Sequence, residues 1–289
     1  MSHANRILLA VAVLVAGCKI AAVPAPGRTE IRVATFNTHF FGDHDAAHPD
    51  GEDAAECLTD VARVDAEMDL DVWMFQEVYR SRTPNPNPYP TDHLARMKAA
   101  LPGCEGVFFA YSEAEFEKGV AIVWDAGRFD AIGPPMGHRW SETGLDTTKG
   151  GVAQILRRRS DSKEFLVACV HLAASGIAGP REKQAREAVA LFRADVERNA
   201  AYLGVPPGDL PWILGGDLNT VWRTAEGAYG YLVNEAGFVP ATGSTVRTHE
   251  SGLHLDHLLH RGMTLLEGGV RHDVRSSDHY PLFARFDLR

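Results

Sequence analysis

The segment Pro211-Trp212-Ile213-Leu214-Gly215-Gly216-Asp217-Leu218-Asn219-Thr220 decides how the rest of the chain is read. Its short apolar run predicts a buried strand. Two glycines follow, where a backbone turns tightly or approaches a ligand closely. Asp217 and Asn219 then stand two residues apart, which on extended backbone puts them on one face. A carboxylate beside a carboxamide at the end of a buried strand is costly unless something binds the pair. The plainer alternative is a strand-end turn in which both side chains cap backbone groups.

The same punctuation recurs along the chain. Ile31 to Asn37 reads as a strand ending in a polar residue. Leu58, Val61, Val64 and Met68 have helical spacing. Val72 to Gln76 is a second apolar run and ends at Glu77. Thr83 to Pro90 reads as a surface loop because its prolines remove ladder donors. Thr91 or Asp92 caps a helix carrying Leu94, Met97 and Leu101. Val107 to Tyr111 pairs with Val120 to Trp124, and Gly133 to Thr148 reads as irregular. Val152 to Leu156 pairs with Phe165 to Val170, which ends at His171. Pro180 to Leu203 is an amphipathic helix with Ala185, Val189, Phe192, Val196 and Ala200 on one face. Leu255 to His260 and Leu282 to Phe286 are late strands; Asp256 begins the first, and Asp278-His279 precedes the second. Each polar residue alone has a structural explanation, as a turn cap or a solvated carboxylate. Together they suggest one rim of a rigid sheet, where sites are built.

The chain has 289 residues, 45% hydrophobic and 23% charged, with a formal charge of −9. That is an ordinary globular composition with no bulk positive field for nucleic acid or anionic lipid. A bound cation can still supply positive charge locally. Arg6 and the apolar run Ile7 to Gly17 read as a secretory signal too short to span a membrane. Val15-Ala16-Gly17-Cys18 resembles a bacterial lipobox, which implies cleavage before Cys18, acylation of that cysteine and attachment to the cell envelope. The expected division is therefore a signal with its cysteine over 1–18, a tether over 19–29 and one domain over 30–289. Cys169 lies within an apolar strand and reads as a buried thiol. In an oxidising compartment Cys57 and Cys104 are a possible pair, which spacing leaves open. Arg157-Arg158-Arg159 reads as a hairpin tip or a polyanion contact.

Taken in order, Ala34-Thr35-Phe36-Asn37-Thr38, Gln76-Glu77-Val78, His171-Leu172, Gly216-Asp217-Leu218-Asn219, Leu255-Asp256-His257 and Ser277-Asp278-His279-Tyr280-Pro281 resemble the endonuclease/exonuclease/phosphatase superfamily. The resemblance covers nearly everything after residue 30. It implies an α/β four-layer sandwich: two packed, mostly antiparallel β-sheets flanked by helices. It also implies a metal-dependent phosphoester hydrolase that forms no covalent enzyme intermediate. Such chemistry needs a charge clamp on phosphate, an activated water and a stabilised leaving oxygen. Hard oxygen donors favour Mg²⁺, with Mn²⁺ or Ca²⁺ as alternatives.

The resemblance assigns Glu77 to the metal, helped by Asn37 and Asp278. Asp256 orients His279, which acts as general base or holds phosphate. Asp217 and Asn219 position water, and His171 donates to a phosphate oxygen. The deoxyribonuclease pattern has an arginine where Tyr79 stands, with Arg80 next to it. Thr148-Lys149-Gly150-Gly151 is nearer to the sphingomyelinase-type signature. Tyr79 and Lys149 are thus the expected substrate contacts. The expected substrate is a phosphodiester, nucleic acid first and a phospholipid headgroup second, and the expected state is a monomer. A non-catalytic binding module on the same scaffold is the remaining alternative.

Overall fold

In the computed structural model the described residues are 28–39, 52–81, 92–113, 116–141, 148–174, 178–220, 227–243 and 245–288. The signal, Cys18, nearly all of the tether and the proline-rich loop 83–90 lie outside them. Strand β1 (Glu30–Asn37) leads through α1 (Glu52–Met68) to β2 (Val72–Ser81). Helix α2 (His93–Ala100), β3 (Cys104–Glu113) and β4 (Phe116–Asp125) follow. A second run comprises β5 (Phe129–Arg139), β6 (Gly150–Arg158), β7 (Glu164–His171), α3 (Ala178–Arg198) and β8 (Trp212–Asp217). The chain ends with α4 (Gly227–Gly230), β9 (Val239–Pro240), β10 (Asp256–Arg261), β11 (Thr264–Val270) and β12 (Leu282–Asp287).

Two six-stranded sheets result, ordered β11-β12-β1-β2-β4-β3 and β5-β6-β7-β8-β10-β9. Among the described residues only β1–β2 and β7–β8 are parallel, each joined through a helix. The apolar runs are explained by burial on both faces. Along β7, Phe165, Val167 and Cys169 enter the core between the sheets, while Leu166, Ala168 and Val170 face α3. Along β2, Val72 and Met74 face inward and Trp73 and Phe75 pack under α1 and α2. The layers are helix, sheet, sheet, helix, as the resemblance implied. Each fully buried large aliphatic or aromatic side chain contributes roughly 1.5–3 kcal/mol.

Several local expectations need correction. Residues 133–139 belong to strand β5, not to an irregular stretch. Its register shifts between Ile132 and Met136, where Gly133, Pro134 and Pro135 fall. An edge strand tolerates prolines at such an irregularity because fewer of its donors are needed. Strand β2 does not stop at Glu77 but passes through a bulge there and runs on to Ser81. Helix α3 stops at Arg198, and Ala200 lies in a separate 3₁₀ turn. Cys57 and Cys104 are not bridged; Cys57, like Cys169, is a buried thiol. The arginine run is ion-paired throughout: Arg157 with Glu164, Arg158 with Asp161 and Arg159 with Asp130, and Arg158 is buried. The capping expectation resolves to Asp92, whose carboxylate accepts the Ala95 backbone N–H at 3.0 Å.

Candidate active site

The two glycines of the opening segment do not end β8; they lie inside it. A Cβ on Gly216, at φ +145°, would stand 1.8 Å from the Val170 carbonyl oxygen of β7. A Cβ on Gly215 would stand 2.7 Å from the Met74 Cε of the facing sheet. The glycines therefore bring strands, not a ligand, into close approach.

Register then lines up the polar ends. His171 pairs with Asp217 across β7–β8, and Asp217 pairs with Asp256 across β8–β10. In the other sheet Asn37 pairs with Gln76, just before the bulge at Glu77. Glu77 has φ +58°, a left-handed conformation costing a non-glycine residue about 1–3 kcal/mol. Asn219, at φ +48°, is of a residue type that enters this region more readily.

The sheets meet where Asn37 Nδ2 donates to Asp217 Oδ2 at 3.0 Å. The amide oxygen of Asn37 accepts the His39 N–H, also at 3.0 Å. Asp217 Oδ1 accepts the Asn219 N–H at 2.8 Å, and Asn219 Nδ2 donates to the Leu172 carbonyl at 3.0 Å. His171 Nε2 lies 3.5 Å from Asp217 Oδ2 and 3.8 Å from Glu77 Oε1. Lys149 Nζ stands 3.0 Å from His171 Nε2 and 3.6 Å from Glu77 Oε1. On the other side, His279 Nδ1 is 2.7 Å from Asp256 Oδ2, and its Nε2 is 3.9 Å from Asp217 Oδ2. Asp278 lies beside His249, Oδ2 to Nε2 3.3 Å.

Nine of the ten expected site residues thus meet at one mouth between the sheets. Tyr79 is placed differently, two residues past the bulge, with its ring 5.7 Å from His93 and 5.5 Å from Lys118 Nζ.

Four contributors escaped the sequence reading. Tyr111 OH is 3.4 Å from His171 Nδ1, and Trp140 Nε1 donates to the His171 carbonyl at 2.9 Å. The Thr248 hydroxyl accepts the N–H groups of Leu255 and Asp256 at 2.9 Å each. His249 forms a backbone bridge with His279, its ring 4.6 Å away and nearly perpendicular. Thr248 and His249 lie in a polar, aperiodic stretch that carries no spacing signal. Tyr111 ends an expected strand and Trp140 falls in the stretch read as irregular, so neither stood out.

The charges are mutually adjusted. Burial works against a charged His279, but Asp256, Asp217 and Asp278 outweigh it and raise the imidazole to about 10. Burial, then Asp256, pushes the Asp217 carboxyl up, against His279, the Asn219 N–H and Lys149. Burial, with Lys149 and His279, holds His171 well below the usual histidine range, so it is a neutral imidazole. Burial also lowers Lys149, against Glu77 and Asp217. Asp278 is pulled below the usual carboxylate range by His279, His39 and His249, although burial opposes this.

Carboxylate and imidazole donors of Asp217, Asp256 and His279 lie within 4.8 Å of one another, as do those of His249, Asp278 and His279. Asp256 Oδ1 is buried without a hydrogen-bond partner among the described residues. Such hard donors fit a divalent cation. Glu77 belongs to neither group; its neighbours are Lys149 and His171.

Residues 34–279 match the model of the Endonuclease/Exonuclease/phosphatase family. The chain belongs to this family. Its members are divalent-metal-dependent phosphoester hydrolases, and so is this one. Solved structures of similar fold include the family member from Bacteroides vulgatus, at 16% identity and TM-score 0.69, covering 90% of this chain and 99% of that one. The mannosyl-6-phosphatase of Bacteroides thetaiotaomicron is 19% identical with TM-score 0.65, covering 89% and 99%. The human Nocturnin catalytic domain, solved with bound sulfate, is 19% identical with TM-score 0.62, covering 89% and 93%. No curated protein matches the chain.

Proposed function

We propose that this member of the family is a Mg²⁺-dependent phosphodiesterase of nuclease type, acting on nucleic acid outside the cytoplasm. The observation that carries the reading is the Asp256–His279 pair at 2.7 Å, standing 3.9 Å from Asp217. A carboxylate-held imidazole beside a buried carboxylate is suited to moving a proton to or from water and leaving oxygen. The cation supplies Lewis acidity and a lowered water pKa when bound. Glu77 and Asp278, with Asn37, are the residues proposed to hold it. The remaining work falls to the chain. Asp217, fixed by Asn37 and the Asn219 N–H, orients the water. Neutral His171 and Lys149 donate to phosphate oxygens, where negative charge grows in the transition state.

The leader sequence supports export with an acylated Cys18, and no helix among the described residues is long and apolar enough to cross a membrane. Among the described residues the exposed large apolar side chains are scattered, Tyr202 with Val205 in one segment and Val239, Leu253 and Leu266 in others, which supports a soluble substrate over a bilayer. A phosphatase of sugar or headgroup phosphates is the second reading. It is favoured by Lys149, which brings a buried ammonium to the site. The test is turnover by the purified protein with Mg²⁺ on plasmid DNA, sphingomyelin vesicles and mannose 6-phosphate. Nicked DNA is the expected outcome. Intact DNA beside released phosphocholine or inorganic phosphate overturns the nuclease reading.

A further inference from the structure

A cleft of about 520 Å³ opens beside the catalytic mouth, lined in part by Arg247, His249, Glu250, His272, Arg275 and Tyr280. His249 is the shared wall. Its Nδ1 accepts the Ser251 backbone N–H at 3.0 Å, and its Nε2 faces Asp278 Oδ2 at 3.3 Å. The ring also stands at 83° to His279. The cleft therefore begins one imidazole away from the reacting groups.

Its charge runs against that of the whole molecule, which is −9. Arg247 and Arg275 bring two fixed cations against one carboxylate, Glu250. Several other described surface arginines are ion-paired, among them Arg63, Arg157, Arg186 and Arg271, although exposed Arg193, outside the cleft, is not. Among the described residues, Arg247 and Arg275 are in none. Arg275 is nevertheless braced at its guanidinium, and Arg247 is held at its backbone. His272 Nε2 is 2.9 Å from the Arg247 carbonyl, which it reaches as the donor. Arg275 Nη1 donates to Tyr280 OH at 2.9 Å, with the guanidinium 5.2 Å from the ring centroid. A guanidinium that is braced but not neutralised keeps its fork of donors for an oxyanion, and phosphate matches that fork in geometry and charge.

The geometry points to a second-phosphate subsite: this cleft holds a phosphate tethered to the one being hydrolysed. The inference rests on the phosphodiester reading above and sharpens it. The ligand is a bisphosphorylated unit, either the next nucleotide of a polynucleotide or a small molecule with two phosphates.

A matched pair of chromogenic substrates separates the effects. Thymidine 5′-(p-nitrophenyl phosphate) carries the scissile diester alone, and its 3′-phosphate derivative adds one phosphate. The expected ratio of kcat/KM, derivative over parent, is at least about tenfold, the size of one charge-assisted hydrogen bond. In Arg247→Ala and Arg275→Ala it falls toward one. Gln replaces Ala at either position if the smaller side chain prevents folding. A wild-type ratio near one, or variants that keep the wild-type ratio, overturns the subsite. With oligothymidylates, a preference that grows with length assigns the second phosphate to a polynucleotide. One that saturates at the first added phosphate assigns it to a small bisphosphate. If neither chromogenic substrate turns over, the phosphodiester reading falls instead. Equilibrium binding of thymidine 3′,5′-bisphosphate against the 5′-monophosphate then decides the subsite. Tighter bisphosphate binding lost in the arginine variants upholds it, and equal binding overturns it.

Discussion

Asn37 and Asp217, 180 residues apart and in different sheets, are joined by a 3.0 Å hydrogen bond at the mouth between those sheets. The bond ties the carboxylate proposed to orient water to the opposite half of the sandwich. Asn37→Ala removes the donor and leaves a buried oxygen short of a partner, at a cost of about 1–3 kcal/mol. The expected result is a lower urea midpoint together with a fall in kcat of at least about tenfold, since Asp217 is released from its orientation. Unchanged kcat with reduced stability would show the contact to be structural alone.

His279 and Asp256, 2.7 Å apart, are proposed to act as a pair. His279→Ala is expected to lower kcat/KM by about 10²–10⁴, the range for general acid–base groups. Asp256→Asn should cost part of that loss. Melting temperatures near wild type in both variants separate chemistry from folding, and rates within twofold of wild type would refute the assigned role.

Stability of the metal-free protein depends on the same imidazole. Its folded pKa of about 10 lies above its ordinary 6.5. Its contribution is therefore complete below pH 6.5 and is lost as pH rises through about 10. In EDTA the difference in unfolding free energy between wild type and His279→Gln should shrink steadily over that interval. Urea titrations at several pH values measure it, and a difference that stays constant or widens contradicts the linkage.

Glu77 is the test of the metal assignment. Mg²⁺ at about a hundred times its Kd should stabilise the wild type by about 2.7 kcal/mol. Thermal melts of Glu77→Gln with and without Mg²⁺ should show most of that shift gone, and EDTA should silence the wild-type enzyme. A full Mg²⁺ shift in Glu77→Gln would move the cation to the Asp217, Asp256 and His279 donors.

Gly216→Ala places a methyl where a Cβ would be 1.8 Å from the Val170 carbonyl oxygen. Neither β7 nor β8 can retreat without breaking register, so the loss should exceed about 3 kcal/mol. Denaturation midpoints or soluble yield report it; a near-native midpoint would mean that the strands slide.

Much of this was legible in the sequence because the strands advertise themselves twice. The central ones are largely apolar, being buried on both faces, and several close on a polar residue at the mouth, as at Asn37, His171 and Asp217. What stayed hidden has physical reasons. Glu77 was recognisable, but its bulge was not, because one extra residue leaves no periodic trace. Gly215 and Gly216 were read as turn formers, whereas they clear space for β7 and the facing sheet. Edge strands β5 and β11 carry prolines or paired glycines and much exposed surface, so no clean alternation marks them. His249 depends on a backbone bridge between loops, which spacing cannot foretell.

The pairing of Glu30 with Asp287 puts the first and last strand residues at one end of their sheet. Strand β1 then runs to Asn37, and at about 3.3 Å per residue it traverses about 23 Å. Whatever grips the polypeptide ahead of Glu30 holds it at that end of the sheet. The proposed site lies at the opposite end, so a copy tethered as proposed through Cys18 would keep that site turned away from its anchor.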